Sequence, residues 1–358
     1  MSKTSSTVID MAARNAATPT PPEAPKAPTK KIPAKKAPAK KAPGRVAAGK
    51  GAAPGPGKGY RASLWPRDES LPPKLCKPVL DLQSELDMPV MLLVQDPGSE
   101  SQPLGDLDDY LVHMVRHQRS RLPSNQPIAL VLNSPGGDAR CAYGLARIIH
   151  RRCGGFTAVV PDAAMSAATL LTLGSDAILM GPDASLGPLD AQIMDTETET
   201  FGSVLNEVQA LERLRAYALE SVDETMQLML SRTGKRVETL LPQVLRFVSD
   251  SMQPLLTKID VVHYNERARI LKVGEEYAVR LLRRLHPEVP GRPDVARRIA
   301  STLVESYPEH GFWIDREEAK QIGLAVVDTD DKLDGILQAL WTGVQGVTAI
   351  GMFEEVAP

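Results

Sequence analysis

Between Met88 and Pro182 the chain alternates apolar runs with amphipathic stretches. MPVMLLVQD, from Met88, is apolar and bounded by turn residues, and predicts a buried strand. LDDYLVHMVRHQR, from Leu107, spaces its apolar residues three and four apart and predicts a helix. PIALVLNSPGG, from Pro127, predicts a strand ending in a glycine-rich turn. ARCAYGLARIIHRR, from Ala139, predicts a helix with Tyr143, Leu145, Ile148 and Ile149 toward the core. GFTAVVPDAAM, SAATLLTLGS and DAILMGP then predict a strand, a short helix from Ser166, and a strand from Asp176. This β-α-β-α-β-α-β order predicts an α/β fold with a parallel sheet and crossover helices.

After Gln192 the pattern changes to long amphipathic helices, predicted over Leu205 to Leu230, Val237 to Ser249 and Leu255 to Leu285. A last unit reads ARRIASTLVE as helix, GFWI as a short extended piece, DREEAKQIGL as helix, AVVD as strand and DKLDGILQALW as helix. Asp315 is placed to cap DREEAKQIGL, with Glu318 completing a capping box and Gly323 ending the helix.

The first 61 residues are different. They carry thirteen Lys/Arg against only Asp10 and Glu23, and hold ten of the 30 prolines. The rest of the chain has 29 basic and 42 acidic residues, so the net charge of −2 conceals two opposed halves. APKAPTKKIPAKKAPAKKAPGR offers almost nothing to bury and is expected to be a disordered tail. The expected organisation is therefore a basic tail over 1–61, a folded domain over 65–328 with a helical insertion at about 203–305, and a C-terminal helix and tail over 329–358. The tail reads as a solubilising extension, as a polyanion contact, or as a contact for an acidic protein surface.

Composition narrows the class. Of 358 residues 42% are hydrophobic, enough for a sizeable core, and only 4% are aromatic, which argues against a base-stacking nucleic-acid reader. Cys76, Cys141 and Cys153 are odd in number and form no C-x-x-C pair. A disulfide scaffold and a cysteine zinc site are not expected, and a reducing, cytoplasmic setting is. The longest apolar runs fall short of the ~20 residues of a membrane helix, and no secretory leader pattern is visible.

Two places carry chemistry. In NSPGGDA, Gly136 and Gly137 end a strand before a helix, where exposed backbone amides can hold a developing oxyanion. The same Pro-Gly-Gly is also an ordinary turn. In PDAAMSAATLL, Ser166 stands at a strand-to-helix corner among alanines that leave room for a substrate. It reads either as a plain N-cap or as a nucleophile. Both places fall at the C-terminal ends of successive predicted strands, where parallel α/β sheets build their sites.

NSPGGDARCAYGLARII, followed by the serine of AMSAATLLTLGSDAILMGPDASLGPLDAQI, resembles the Clp/crotonase superfamily. Within it the chain is most similar to the SDH-type Clp-fold serine proteinases, through MGPDASLGPLDAQ and YPEHGFWIDREEAKQIGL. The resemblance covers roughly Met88 to Asp328 and implies a Clp/crotonase-like spiral of repeated β-α units. It implies a serine endopeptidase, with Ser166 as nucleophile and an oxyanion hole from Gly136 or Gly137 with the Ala167 amide. It also implies a homo-oligomer acting on peptide or protein substrates, without metal or cofactor. No GxGxxG fingerprint supports a dehydrogenase.

The base departs from the Clp pattern. Where Clp protease has its histidine, this chain reads SLGPLDAQ, and the ionisable group there is Asp190. Near the place of the Clp acid stands His310. A triad of Ser166, His310 and Asp190, with the last two exchanged along the chain, is therefore expected, since a triad is defined by geometry. The competing arrangement is a serine–lysine dyad with Lys258, the form seen in signal peptide peptidase A. His263 is a further candidate base. His113 and His117, four apart on one helix, lack an evident third metal ligand. Two other classes stay open: a crotonase-like acyl-CoA enzyme using the same amides, and a non-catalytic scaffold acting through its tail.

Overall fold

The computed structural model describes residues 59–62, 70–95, 105–190, 192–195 and 200–356. Residues 1–58, which make up nearly all of the expected tail, lie outside the described residues, as does Trp65. In chain order the elements are β1 (Gly59–Ala62), α1 (Pro73–Leu86), β2 (Val90–Val94), α2 (Asp109–His117), β3 (Ile128–Asn133), α3 (Ala139–Cys153), β4 (Phe156–Val160), β5 (Ala163–Ala164), α4 (Ala167–Thr172), β6 (Ala177–Met180) and β7 (Ser185–Leu186). Then follow β8 (Gln192–Asp195), β9 (Thr200–Ser203), α5 (Val204–Thr233), α6 (Val237–Leu256), α7 (Val261–Leu282), α8 (Val295–Glu305), α9 (Arg316–Ile322), α10 (Asp331–Val344) and β10 (Ala349–Val356).

The main sheet runs β1-β10-β2-β3-β4-β6. Its centre, β2 to β3 to β4 to β6, is parallel, as the β-α-β-α-β-α-β order predicts. Apart from Asn133 and Thr157 these strands are apolar, because both faces are covered. Met91, Leu93, Leu130, Leu132, Ala158 and Val160 point to one face, where α2, α3, α4, α7 and α8 pack. The alternate residues Leu92, Val94, Val131 and Val159 point to the other, where α1 and α10 lie together. β5 pairs with β7 and is bridged by Ala164 to Ser134 just past β3, and β8 pairs with β9 in an antiparallel hairpin.

The sheet is wider than expected, and the added edge is antiparallel. β10 pairs with β2 in one direction and β1 in the other. β1 takes in Gly59–Arg61, which composition assigns to the tail; Tyr60 stacks on Phe353 at 5.0 Å and supplies the apolar contact that composition hid. AVVD contributes only a single bridge, Val326 to Ile178, while GFWI joins the fold through Ile314 against Leu186. The expected helix from Leu255 instead breaks after Leu256, and a new one starts at Val261, because Asp260 accepts from the Val262 and His263 amides. Asp315 caps α9 through the Glu318 amide, but the Glu318 carboxylate takes the Tyr307 hydroxyl at 3.0 Å, so the reciprocal half of the capping box is not made. Among the described residues no helix is long and apolar enough to cross a membrane.

Candidate active site

β3 ends at Asn133, and the backbone then arches through Ser134–Asp138 into α3. Leu107 clamps this arch: its amide donates to the Gly136 carbonyl at 2.7 Å, and its carbonyl accepts from the Asp138 amide at 2.8 Å. Gly136 and Gly137 have φ of 116° and 139°, a region nearly closed to other residues. The buried Ser134 hydroxyl donates to Gln95 Oε1 at 2.6 Å and accepts the Gly136 amide at 3.1 Å. The Gly136 amide is thereby occupied. The Gly137 and Ala167 amides have no hydrogen-bond acceptor among the described residues.

The next corner, between β5 and α4, lies against this arch. The Ser134 amide donates to Ala163, and the Met165 amide donates back to Ser134, at 2.9 and 3.0 Å. Thr169 holds the corner from behind, donating to the Ala164 carbonyl at 2.6 Å and accepting the Gly187 amide at 2.9 Å. Ser166 sits at the N-cap position of α4 with φ 51° and ψ −118° and makes no capping bond. The plain N-cap reading therefore fails, because the backbone that would aim the hydroxyl at α4 is twisted the other way. A non-glycine residue held at such angles stores about 1–3 kcal/mol of strain. Gly136 lies so close that a Cβ on it would stand 2.7 Å from the Met165 carbonyl and 3.0 Å from Ser166 Cβ.

Ser166 opens into a cleft of about 540 Å³. Gly137, Ala167 and Asp190 line it with Ser166, and Leu170 and Leu189 give it an apolar floor. α7 walls the open side through Arg269, Ile270, Val273 and Tyr277, and Tyr277 is fixed by stacking on Tyr143 at 4.6 Å. Asp190, only 3% exposed, accepts from His310 Nδ1 at 2.7 Å, and the His310 side chain is 19% exposed. A proton on Nδ1 leaves Nε2 of that imidazole as the acceptor nitrogen.

The sequence candidates separate clearly. Gly137, Ser166, Ala167 and Asp190 line one cleft, Gly136 packs behind it against Ser166, and His310, not itself a lining residue, is bonded to Asp190. Lys258 is exposed in the turn between α6 and α7 and does not line the cleft, so the desolvation that a lysine base needs is missing. His263 is exposed in the first turn of α7. His113 and His117 face each other at 3.1 Å, and no group of three or more His, Cys, Asp or Glu suited to a metal is found among the described residues. The cysteines are no rival nucleophiles. Burial first, then the nearby Asp138 and Asp109 carboxylates, push the Cys141 thiol up to about 12, and burial lifts Cys153 to about 11. Gln95, Ser134 and Thr169 were missed in the sequence, since nothing local distinguishes a bracing hydroxyl or amide from any other.

Residues 107–258 match the family model described as ClpP-like SDH-type serine proteinase. Uncharacterized protein MJ0137 of Methanocaldococcus jannaschii is 27% identical over 204 residues, 57% of this chain and 54% of the relative. Uncharacterized protein MJ1495 of the same organism is 35% identical over 71 residues, 20% of this chain and 24% of the relative. The chain thus spans about half, or less, of these curated relatives. Among solved structures, a ClpP1 mutant from Listeria monocytogenes is 15% identical with a TM-score of 0.36, covering 70% of this chain and 99% of that one. A mutant of the 1510-N membrane-bound stomatin-specific protease is also 15% identical with a TM-score of 0.36, covering 64% of this chain and 78% of that one. His310 lies outside the matched segment, which contains Gly136, Gly137, Ser166 and Asp190. The similarity to the ClpP-like SDH-type serine proteinases thus lies in residues 107–258, less than half of the chain.

Proposed function

We propose that the chain is a serine endopeptidase in which Ser166 is the nucleophile, His310 the base and Asp190 the residue that orients it. The observation that carries this reading is the His310–Asp190 hydrogen bond of 2.7 Å at the wall of the cleft that holds the strained, uncapped Ser166. Ser166 Oγ attacks the peptide carbonyl while His310 Nε2 takes its proton. The tetrahedral oxyanion is received by the Gly137 and Ala167 amides. His310 then returns the proton to the leaving amine, and water, activated by the same imidazole, hydrolyses the acyl-enzyme.

A crotonase-like acyl-CoA reaction would use the same amide pair and no serine nucleophile. The strain at Ser166 favours the peptidase, because an unused serine gives no return for it. Reaction of the full chain with a fluorophosphonate probe tests the reading. Labelling that disappears in Ser166→Ala, with the fold retained by circular dichroism, supports it. Labelling that persists in that variant removes Ser166 from the nucleophile's role. Polyanion binding by residues 1–61 is a separate proposal, read as salt-sensitive DNA or RNA retention that their removal abolishes.

A further inference from the structure

Beside the cleft, α2 and α3 enclose a second hollow of about 870 Å³. Arg116, Arg119, Arg140, Arg147, Arg151 and Arg152 all line it, against the single carboxylate of Asp109. The stripe follows from helical spacing: Arg140, Arg147 and Arg151 recur on one face of α3, and Asp109, Val112 and Arg116 on the facing side of α2. Asp109 is already taken by Arg140 at 2.8 Å. Arg152 is tied to the Leu122 carbonyl at 3.0 Å and to Ser124 at 3.3 Å. Arg147 lies over the Tyr143 ring at 5.6 Å, which stiffens its long side chain. Arg116, Arg119, Arg147 and Arg151 have no acidic partner among the described residues. Like charges crowded in a concave surface repel one another, and an incoming anion relieves that repulsion.

We propose that this groove holds an acidic segment of the polypeptide substrate and so sets which proteins are cleaved. The inference rests on the peptidase reading, because Arg140 lines both the groove and the Ser166 cleft and so makes them neighbours. From Arg140 to Arg151 the helix rises about 16 Å, at 1.5 Å per residue. An extended peptide covers that span in about five residues. The substrate is therefore a chain with several Asp or Glu within about five residues of one side of the scissile bond, each carboxylate meeting a guanidinium in paired hydrogen bonds.

The test compares two fluorogenic peptides that differ only in a five-residue flank, acidic in one and Ser/Asn in the other. The full chain should cleave the acidic peptide with a kcat/KM about tenfold or more higher. Arg147→Glu with Arg151→Glu should erase that preference and leave the neutral peptide unchanged, while Arg147→Lys with Arg151→Lys, which keeps the charge but loses the paired hydrogen bonds, should reduce it without erasing it. Equal cleavage of both peptides by the wild type overturns the groove and leaves the peptidase intact. If neither peptide is cleaved, fluorescence anisotropy of the acidic peptide on Ser166→Ala full chain decides the groove alone. Binding weakened about tenfold by the two reversals upholds it, and unchanged binding, which would then be owed to the basic tail, overturns it. Tighter reversal-sensitive binding of single-stranded DNA than of the peptide, or loss of self-association in the reversal variant, also overturns it.

Discussion

His310 Nδ1 meets Asp190 Oδ1 at 2.7 Å across 120 residues of chain, joining the loop before α9 to the loop after β7. Asp190 is buried and so makes its bond under low screening, where an ion-assisted hydrogen bond is strong. His310→Gln and Asp190→Asn keep the shape of each side chain. Each should lower kcat/KM by a factor of about 100 to 10000 with the protein still folded. Lys258→Ala should leave the rate unchanged, since that ammonium stands in solvent outside the cleft. A silent His310→Gln together with an inactive Lys258→Ala would exchange the assignments.

The legible part of the fold was the part whose periodicity is uninterrupted. β2, β3, β4 and α3 are apolar runs or clean amphipathic stretches, and the sequence locates each within a few residues. β10 was missed because AIGMFEEV contains Gly351 and ends in charges, so only its pairing with β2 makes it a strand. α1 was missed because Pro78 interrupts a pattern that Leu75, Val79 and Leu82 otherwise carry. At the site, Gly136 and Gly137 announce themselves through a backbone that few residue types can follow, and Ser166 through its alanine-rich strand-to-helix corner and the family resemblance. Ser134, Gln95 and Thr169 do not, because their roles exist only once β3 and β5 lie side by side.

Gly136 separates local strain from catalysis. Its φ of 116° and the 2.7 Å approach of the Met165 carbonyl leave no room for a methyl group. Gly136→Ala should destabilise the fold by about 1–3 kcal/mol and push Ser166 off its corner. Denaturant unfolding should show a lower midpoint, and fluorophosphonate labelling should slow further than the unfolded fraction explains. A variant with unchanged labelling rate would mean that Ser166 does not depend on this contact.

The stability of the protein should fall on mild acidification. Burial lowers the His150 imidazole below the usual 6.5, and the adjacent Arg284 adds to this while Asp176 and the Gly174 carbonyl oppose it. Burial also lowers His286, with Arg298 nearby and the Gly323 backbone opposing. Both rings are freely protonated in the unfolded chain at about 6.5 and resist protonation when folded, so the unfolded state binds more protons below that point. Their contribution is complete above about 6.5 and declines as the pH drops toward the lower folded values. Melting temperature measured from pH 7.5 to 5 should decrease, and His286→Gln should flatten part of the slope. An unchanged slope in that variant would locate the effect elsewhere.

The helices α5 and α6 leave an apolar face in water. Leu219 on α5 is 62% exposed, Leu245 and Leu256 on α6 are 48% and 50% exposed, and all three line a groove of about 400 Å³ between the two helices. A patch of this kind on a folded chain marks a contact surface. A second copy of the same chain is the expected cover, since the two copies would present the same exposed leucines to each other. Light scattering on the full chain should give a mass above 38.8 kDa. Leu219→Glu with Leu245→Glu should return it to the single-chain value, because the charges cannot be desolvated in the contact. A single-chain mass in the unaltered protein, or an unchanged assembly in the variant, would assign this face to a different partner.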